Sequence, residues 1–163
     1  MKILVVCLTI YLPLIAAISQ ETNRISDLPK ITIITPSYNQ GSFIEDTICS
    51  VLHQGYPKVE YLIFDGRSSD GTLDVIKKYE AQITYWESKS DRGQAHAINK
   101  GLQIDNEDIC AYINSDDYYL PGAFWYAAET FLEKKWDLLI GNRYLAPMPM
   151  LKMMRRSEWK PRV

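Results

Sequence analysis

Two adjacent carboxylates, Asp116 and Asp117, stand in the stretch "YINSDDYYLPGAF" between a hydrophobic run and a proline. Such hard oxygen donors suit a divalent ion, Mg²⁺ or Mn²⁺, which takes one or two carboxylates and completes its shell with water and phosphate oxygens. Asn, Ser and Asp are equally the ordinary residues of a polar turn. Elsewhere, Tyr38 can lie flat against a base, and Asp65 can accept hydrogen bonds from a pyrimidine imide or from ribose hydroxyls. Arg92 offers a fixed fork of donors that suits a diphosphate. Gly93 leaves the N–H groups of a following helix open to phosphate. Each also has a plain reading: Asp65 and Asp70 as turn and cap residues, Arg92 as a surface charge, His96 as a helix-face residue.

Whether these groups meet depends on the elements that carry them. Ile31–Thr35 is a β-branched run stopped by Pro36, as in a buried strand. From Ser42 to Leu52, the positions Phe43, Ile44, Ile48, Val51 and Leu52 share one helical face, and Gly55 ends it. A strand is expected at Val59–Phe64, then a helix over Leu73–Tyr79 capped by Asp70. Further strands are expected at Ile83–Trp86, Ile109–Ile113 and Leu138–Ile140, with helices at Gln94–Leu102 and Pro121–Leu132.

This alternation predicts an α/β fold with a mainly parallel sheet. Ligands of such sheets bind off the carboxyl ends of the strands. Four polar turns then share one edge: Pro36-Ser37-Tyr38-Asn39-Gln40, Asp65 to Thr72, Asp91 to Gln94, and Asn114 to Asp117. Together they describe a site for a polar, phosphate-bearing ligand.

The 163 residues are enough for one domain with a real core. A net charge of −2 gives no footprint for nucleic acid. Cys7, Cys49 and Cys110 form no CxxC pair, and only His53 and His96 accompany them, so a structural zinc site is not expected. Widely spaced thiols fit a reducing, cytoplasmic compartment. Residues 1–28 stand apart. Ile3 to Ile18 carries sixteen residues without charge, about 24 Å as a helix against a hydrocarbon core of about 30 Å. A cleaved signal, a membrane anchor through 3–18 and an untargeted extension are all compatible with it.

Three stretches, "ITIITPSYNQGSFIEDTICSVLHQGYPKVEYLIFDGRSSDGTLDVIKKY", "SDRGQAHAINKGL" and "YINSDDYYLPGA", resemble family 2 glycosyltransferases in the family's order, over about Lys30 to Gly141. The resemblance implies a Rossmann-like GT-A nucleotide-sugar-binding domain over 29–145, followed by a short basic tail at 146–163. It implies inverting transfer of a sugar from a nucleoside-diphosphate sugar to an acceptor hydroxyl of a glycan, lipid carrier or protein. By the same resemblance Pro36, Ser37, Tyr38 and Asn39 line the nucleotide, Asp65 contacts base or ribose, and Asp70 is the second acid of that motif. Arg92, Gly93 and Asn99 flank diphosphate and sugar. Asp116 and Asp117 match the DxD-type metal motif, with the last aspartate reaching the ion.

Two departures stand out. Arg67 occupies a position where the family often has glycine, and it is strained there if the turn requires positive φ. The family's acceptor-activating base lies well beyond the metal motif, whereas 46 residues follow Asp117 here and the last eighteen hold one acid, Glu158. No base is identified, and part of the acceptor half is expected to be missing. Two readings follow: a metal-dependent transferase, or a nucleotide-sugar-binding fragment without transfer. A phosphate-accepting signalling module is disfavoured, because it needs acids beside the first strand, where this chain has Pro-Ser-Tyr-Asn.

Overall fold

The computed structural model describes residues 25–134 and 137–140. The hydrophobic run at 3–18 and the basic tail at 146–163 lie outside them. Strand and helix alternate as β1 (Ile31–Ser37), α1 (Ile44–Leu52), β2 (Val59–Asp65), α2 (Thr72–Lys78), a 3₁₀ turn at Glu80–Gln82, β3 (Tyr85–Ser88), α3 (Gln94–Ile104), β4 (Ile109–Tyr112) and α4 (Ala123–Lys134). The four strands are all parallel, in the order β3-β2-β1-β4. The expected fold class holds.

The central strand shows why. Every residue of β1 is buried, and a fully buried isoleucine contributes about 1.5–3 kcal/mol of transfer free energy. Alternate side chains leave β1 on opposite faces. Ile31 and Ile33 join Ile63 and Tyr61 in a core closed by Ile44, Ile48 and Val51 of α1, Ile76 of α2, and Phe124 and Ala128 of α4. Ile34 packs with Leu62, Phe64 and Ala97 of α3 on the other face. There α3 lies so close that a Cβ on Gly101 would meet Ile34 Cδ1 at 2.6 Å. A polar pair deep in the first core, Thr35 Oγ1 and Tyr61 Oη at 3.1 Å, is mutually satisfied, and burial raises the Tyr61 phenol above its ordinary range.

Several boundaries differ from expectation. β3 begins at Tyr85 rather than Ile83, because Ile83 closes the 3₁₀ turn through Glu80 and the sheet is entered only after Thr84 bonds Tyr61. α4 starts at Ala123, two residues past Pro121, because Gly122 takes a φ of 82° that no helix continues. The strand expected at Leu138–Ile140 is absent: these residues are extended by no ladder, and Leu138 and Ile140 are 74% and 81% exposed. Three apolar residues have no readable period. Among the described residues no helix is long and apolar enough to cross a membrane.

Candidate functional site

A cleft of about 600 Å³ opens along the carboxyl ends of the strands. Its walls come from all four expected turns: Pro36, Ser37, Tyr38 and Gln40 after β1, Gly66 after β2, Ser90, Asp91, Gly93, Gln94 and Ala97 after β3, and Asn114, Ser115 and Asp116 after β4. Parallel pairing is what gathers them, since Ser37 and Asp65 are register partners at the ends of β1 and β2.

The floor is made by stitching the first two turns together. Asn39 donates its N–H to Ser68 Oγ at 2.8 Å, and its Oδ1 accepts from the Ser69 N–H at 2.9 Å. The Gln40 N–H reaches Thr72 Oγ1, and the Gly41 N–H reaches Asp70 Oδ2, both at 2.9 Å. The other Asp70 oxygen accepts from the Thr72 N–H at 3.0 Å and from its hydroxyl. That hydroxyl first, and the Gly41 N–H second, hold the Asp70 carboxyl below its usual range. Asp70 thus accepts the first N–H of α2, but the N-cap position itself falls to Gly71 and not to Asp70 as expected. Asp65 is 2% exposed at the end of β2. Its carboxylate accepts from the Ser68 N–H at 2.9 Å, from the Ser68 hydroxyl, and from Ser88 Oγ at 2.6 Å. Asn39, Asp65 and Asp70 therefore build the turns beneath the cleft and do not line it. Arg67 carries the positive φ, 68°, that its position threatened; this region costs a non-glycine residue roughly 1–2 kcal/mol.

Ser37 and Tyr38 face the opening. Tyr38 is 63% exposed, its flat ring left uncovered, while Ser37 is 6% exposed and its Oγ has no hydrogen-bond partner among the described residues. A buried hydroxyl left unpaired costs about 1–3 kcal/mol, which a polar ligand in the cleft would recover. Gly93 precedes α3 with φ 98° and ψ −178°, a conformation open to glycine alone. The first-turn N–H groups of α3 and the positive end of its dipole thus border the cleft. Arg92 and Asn99 are exposed and do not line it.

The acidic turn is held from behind. Thr47 Oγ1 donates to the Asp117 carbonyl at 2.6 Å, Ser50 Oγ accepts the Tyr119 N–H at 3.1 Å, and Gln54 Nε2 donates to the Leu120 carbonyl at 3.1 Å. These three buried polar residues of α1 and its end form a stripe that the apolar spacing of the helix conceals. Asp116 lines the cleft. Asp117 lies just outside its lining, with Asn114 Nδ2 3.4 Å from its Oδ2. Two adjacent carboxylates on one turn at the cleft mouth fit a divalent ion that draws its other oxygens from a diphosphate and water. Among the described residues no group of three His, Cys, Asp or Glu side chains forms a metal cage by itself.

The profile of the family described as Glycosyl transferase family 2 matches residues 32–163. The chain belongs to this family. Among its family 2 relatives is TuaG of Bacillus subtilis, a glycosyltransferase named for teichuronic acid biosynthesis. It is 42% identical over 94 residues, which are 55% of this chain and 36% of that protein. The poly(ribitol-phosphate) beta-N-acetylglucosaminyltransferase TarP of Staphylococcus aureus is 32% identical over 120 residues, 71% of this chain and 37% of that one. Solved structures agree in fold. TarS of S. aureus superposes with a TM-score of 0.64 at 26% identity, covering 73% of this chain and 23% of TarS. The mannosyltransferase PcManGT of Pyrobaculum calidifontis, solved with GDP-Man and Mn²⁺, gives a TM-score of 0.58 at 26% identity, covering 68% and 34%. The architecture is the Rossmann-like GT-A fold of these enzymes, and the chain spans little more than a third of its curated relatives' length.

Proposed function

We propose that this cleft binds a nucleoside-diphosphate sugar and that the chain contributes the donor half of an inverting glycosyl transfer to an acceptor hydroxyl. The observation that carries the reading is the cleft itself: one parallel-sheet edge brings together an uncovered aromatic ring, an unpaired buried hydroxyl, a helix N-terminus and an acidic turn. The complexes of relatives with UDP-GlcNAc and with GDP-Man and Mn²⁺ support the class of donor.

In this reading Tyr38 stacks on the base, and Ser37 Oγ gives or takes one hydrogen bond with the nucleoside. The open N–H groups of α3 face the diphosphate, and Arg92, beside Gly93, swings its guanidinium toward it. Asp116 and Asp117 would hold Mg²⁺ or Mn²⁺ against the diphosphate oxygens. When bound, the ion neutralises charge that grows on the leaving nucleoside diphosphate. The anomeric carbon exchanges its bond to the diphosphate oxygen for one to the acceptor oxygen, and the acceptor's proton passes to a carboxylate.

Calorimetry with a panel of nucleotide sugars, with and without Mn²⁺, tests binding, and release of nucleoside diphosphate tests transfer. Failure to bind any nucleoside diphosphate would sink the proposal. Binding without release would assign the chain to the donor-binding reading instead.

A further inference from the structure

Among the described residues, one hydrogen bond joins α3 to the acidic turn. Gln94, the first residue of α3, donates from Nε2 to Asn114 Oδ1 across 20 residues of chain. Both side chains line the cleft. Asn114 follows the last bond of the β4 ladder, from the Ile113 N–H to the Ile34 carbonyl at 2.9 Å, so the sheet sets its backbone.

Asn114 passes the contact on. Its Nδ2 lies 3.4 Å from Asp117 Oδ2, and its carbonyl accepts the Asp117 N–H at 3.1 Å, which closes the turn. The polarity of this chain of bonds is fixed from its far end. A carboxylate only accepts, so Asn114 must turn its NH₂ group to Asp117 and its oxygen to Gln94, and Gln94 must donate. Thr47 holds the Asp117 carbonyl from the other side. The main chain of Asp117 and one of its carboxylate oxygens are thus both engaged. Its Oδ1 has no hydrogen bond among the described residues and stays open to a cation.

We infer that Gln94 and Asn114 are positioning residues, which orient the Asp117 carboxylate for a divalent ion and tie it to the helix end bordering the cleft. The inference rests on the donor-and-ion reading above and extends it to two residues that touch neither the ion nor the reacting atoms. Groups that hydrogen-bond a ligating carboxylate fix its direction, and removing them typically costs about ten- to hundredfold in metal affinity. A bond that served the fold alone would change stability and leave the ion untouched.

The gain in nucleoside diphosphate affinity on adding Mn²⁺ reads this role, because any contact of Gln94 with the nucleotide itself cancels in the ratio. It is measured by calorimetry with UDP and with GDP on the full chain, with thermal unfolding to verify the fold. Gln94→Met keeps the side-chain length and removes the donor, and Asn114→Ala removes the link. Each is expected to cut the Mn²⁺ gain about tenfold. The double variant should lose no more than Asn114→Ala alone, since both residues act through one chain of bonds. Gln94 is exposed, so its variant decides the matter even where Asn114→Ala unfolds. A wild-type gain in Gln94→Met, or losses that multiply in the double variant, would overturn the inference. Asp117→Asn separates the two readings: if it abolishes the gain while the Gln94 and Asn114 variants keep it, the ion site stands and the positioning role falls. If neither nucleotide binds the wild type, or Mn²⁺ adds nothing, the donor-and-ion reading fails and this one with it.

Discussion

Thr47, on α1, donates a hydrogen bond of 2.6 Å to the main-chain carbonyl of Asp117, 70 residues further along the chain. The helix between β1 and β2 thus grips the acidic turn after β4 from the side away from the cleft. Thr47→Val keeps the side-chain volume and deletes the donor. Stability should fall by about 1 kcal/mol in urea unfolding, and Mn²⁺-dependent nucleotide affinity should fall with it. Loss of stability with metal-dependent affinity intact would separate the packing of α1 from the setting of the turn.

The acidic turn gives a sharper test. In Asp117→Asn, nucleoside diphosphate binding without metal should match the wild type, while the gain on adding Mn²⁺ should shrink by at least about tenfold. An unchanged metal effect would move the ion elsewhere.

Gly66 leads to a steric prediction. Tyr38, Gly66 and Asp91 all line the cleft, and in Gly66→Ala the new methyl would lie 3.3 Å from Tyr38 Cδ2 and 3.4 Å from Asp91 Oδ1. Crowding of this order costs about 1–3 kcal/mol, to be read as a loss of about tenfold in nucleotide affinity. Circular dichroism should remain that of the wild type. Full affinity would show that the nucleotide does not use this wall of the cleft.

The end of β3 carries a pH signature. Lys100 on α3 and Lys89 bond the two oxygens of Glu87 at 2.8 and 2.6 Å. The Lys100 hydrogen bond foremost, then that of Lys89, lowers the Glu87 carboxyl from the ordinary 4.5 to about 2. Its folded value lies below its unfolded one, so the stabilisation is complete above pH 4.5 and disappears as pH falls toward 2. Lys100→Met should be less stable than the wild type at neutral pH, and the gap should close on acidification through that window. A gap independent of pH would mean that Lys100 contributes only its packing.

Much of this arrangement was legible in the residues. β1 and β2 are compact β-branched or aromatic runs, and their alternation with amphipathic helices fixed both the parallel sheet and the edge on which Tyr38, Gly93 and Asp116 would meet. Hydroxyl partners were not legible. Whether the Asp65 carboxylate faces a ligand or Ser68 and Ser88 is decided by how two turns pack, and no spacing encodes that. Thr47, Ser50 and Gln54 were hidden for a related reason: the apolar positions of α1 describe its core face, whereas these polar residues are buried against a turn far away in sequence. Leu138–Ile140 misled because hydrophobicity without a period does not distinguish a strand from an uncovered segment.

The ladders of β1 differ in depth. With β2 it pairs along seven residues, Ile31 to Ser37, across a single intervening helix. With β4 it pairs along four, Ile31 to Ile34, and the bond from the Lys30 N–H to Asp108 at the head of that ladder joins residues 78 apart. A shorter ladder has fewer hydrogen bonds and contacts to lose on local opening. Amide protons of β4 should therefore exchange with solvent faster than those of β1 and β2. The cleft then belongs to two cooperative units: its Tyr38 end to a deep one that persists on warming, and its acidic end to a shallow one that is released first.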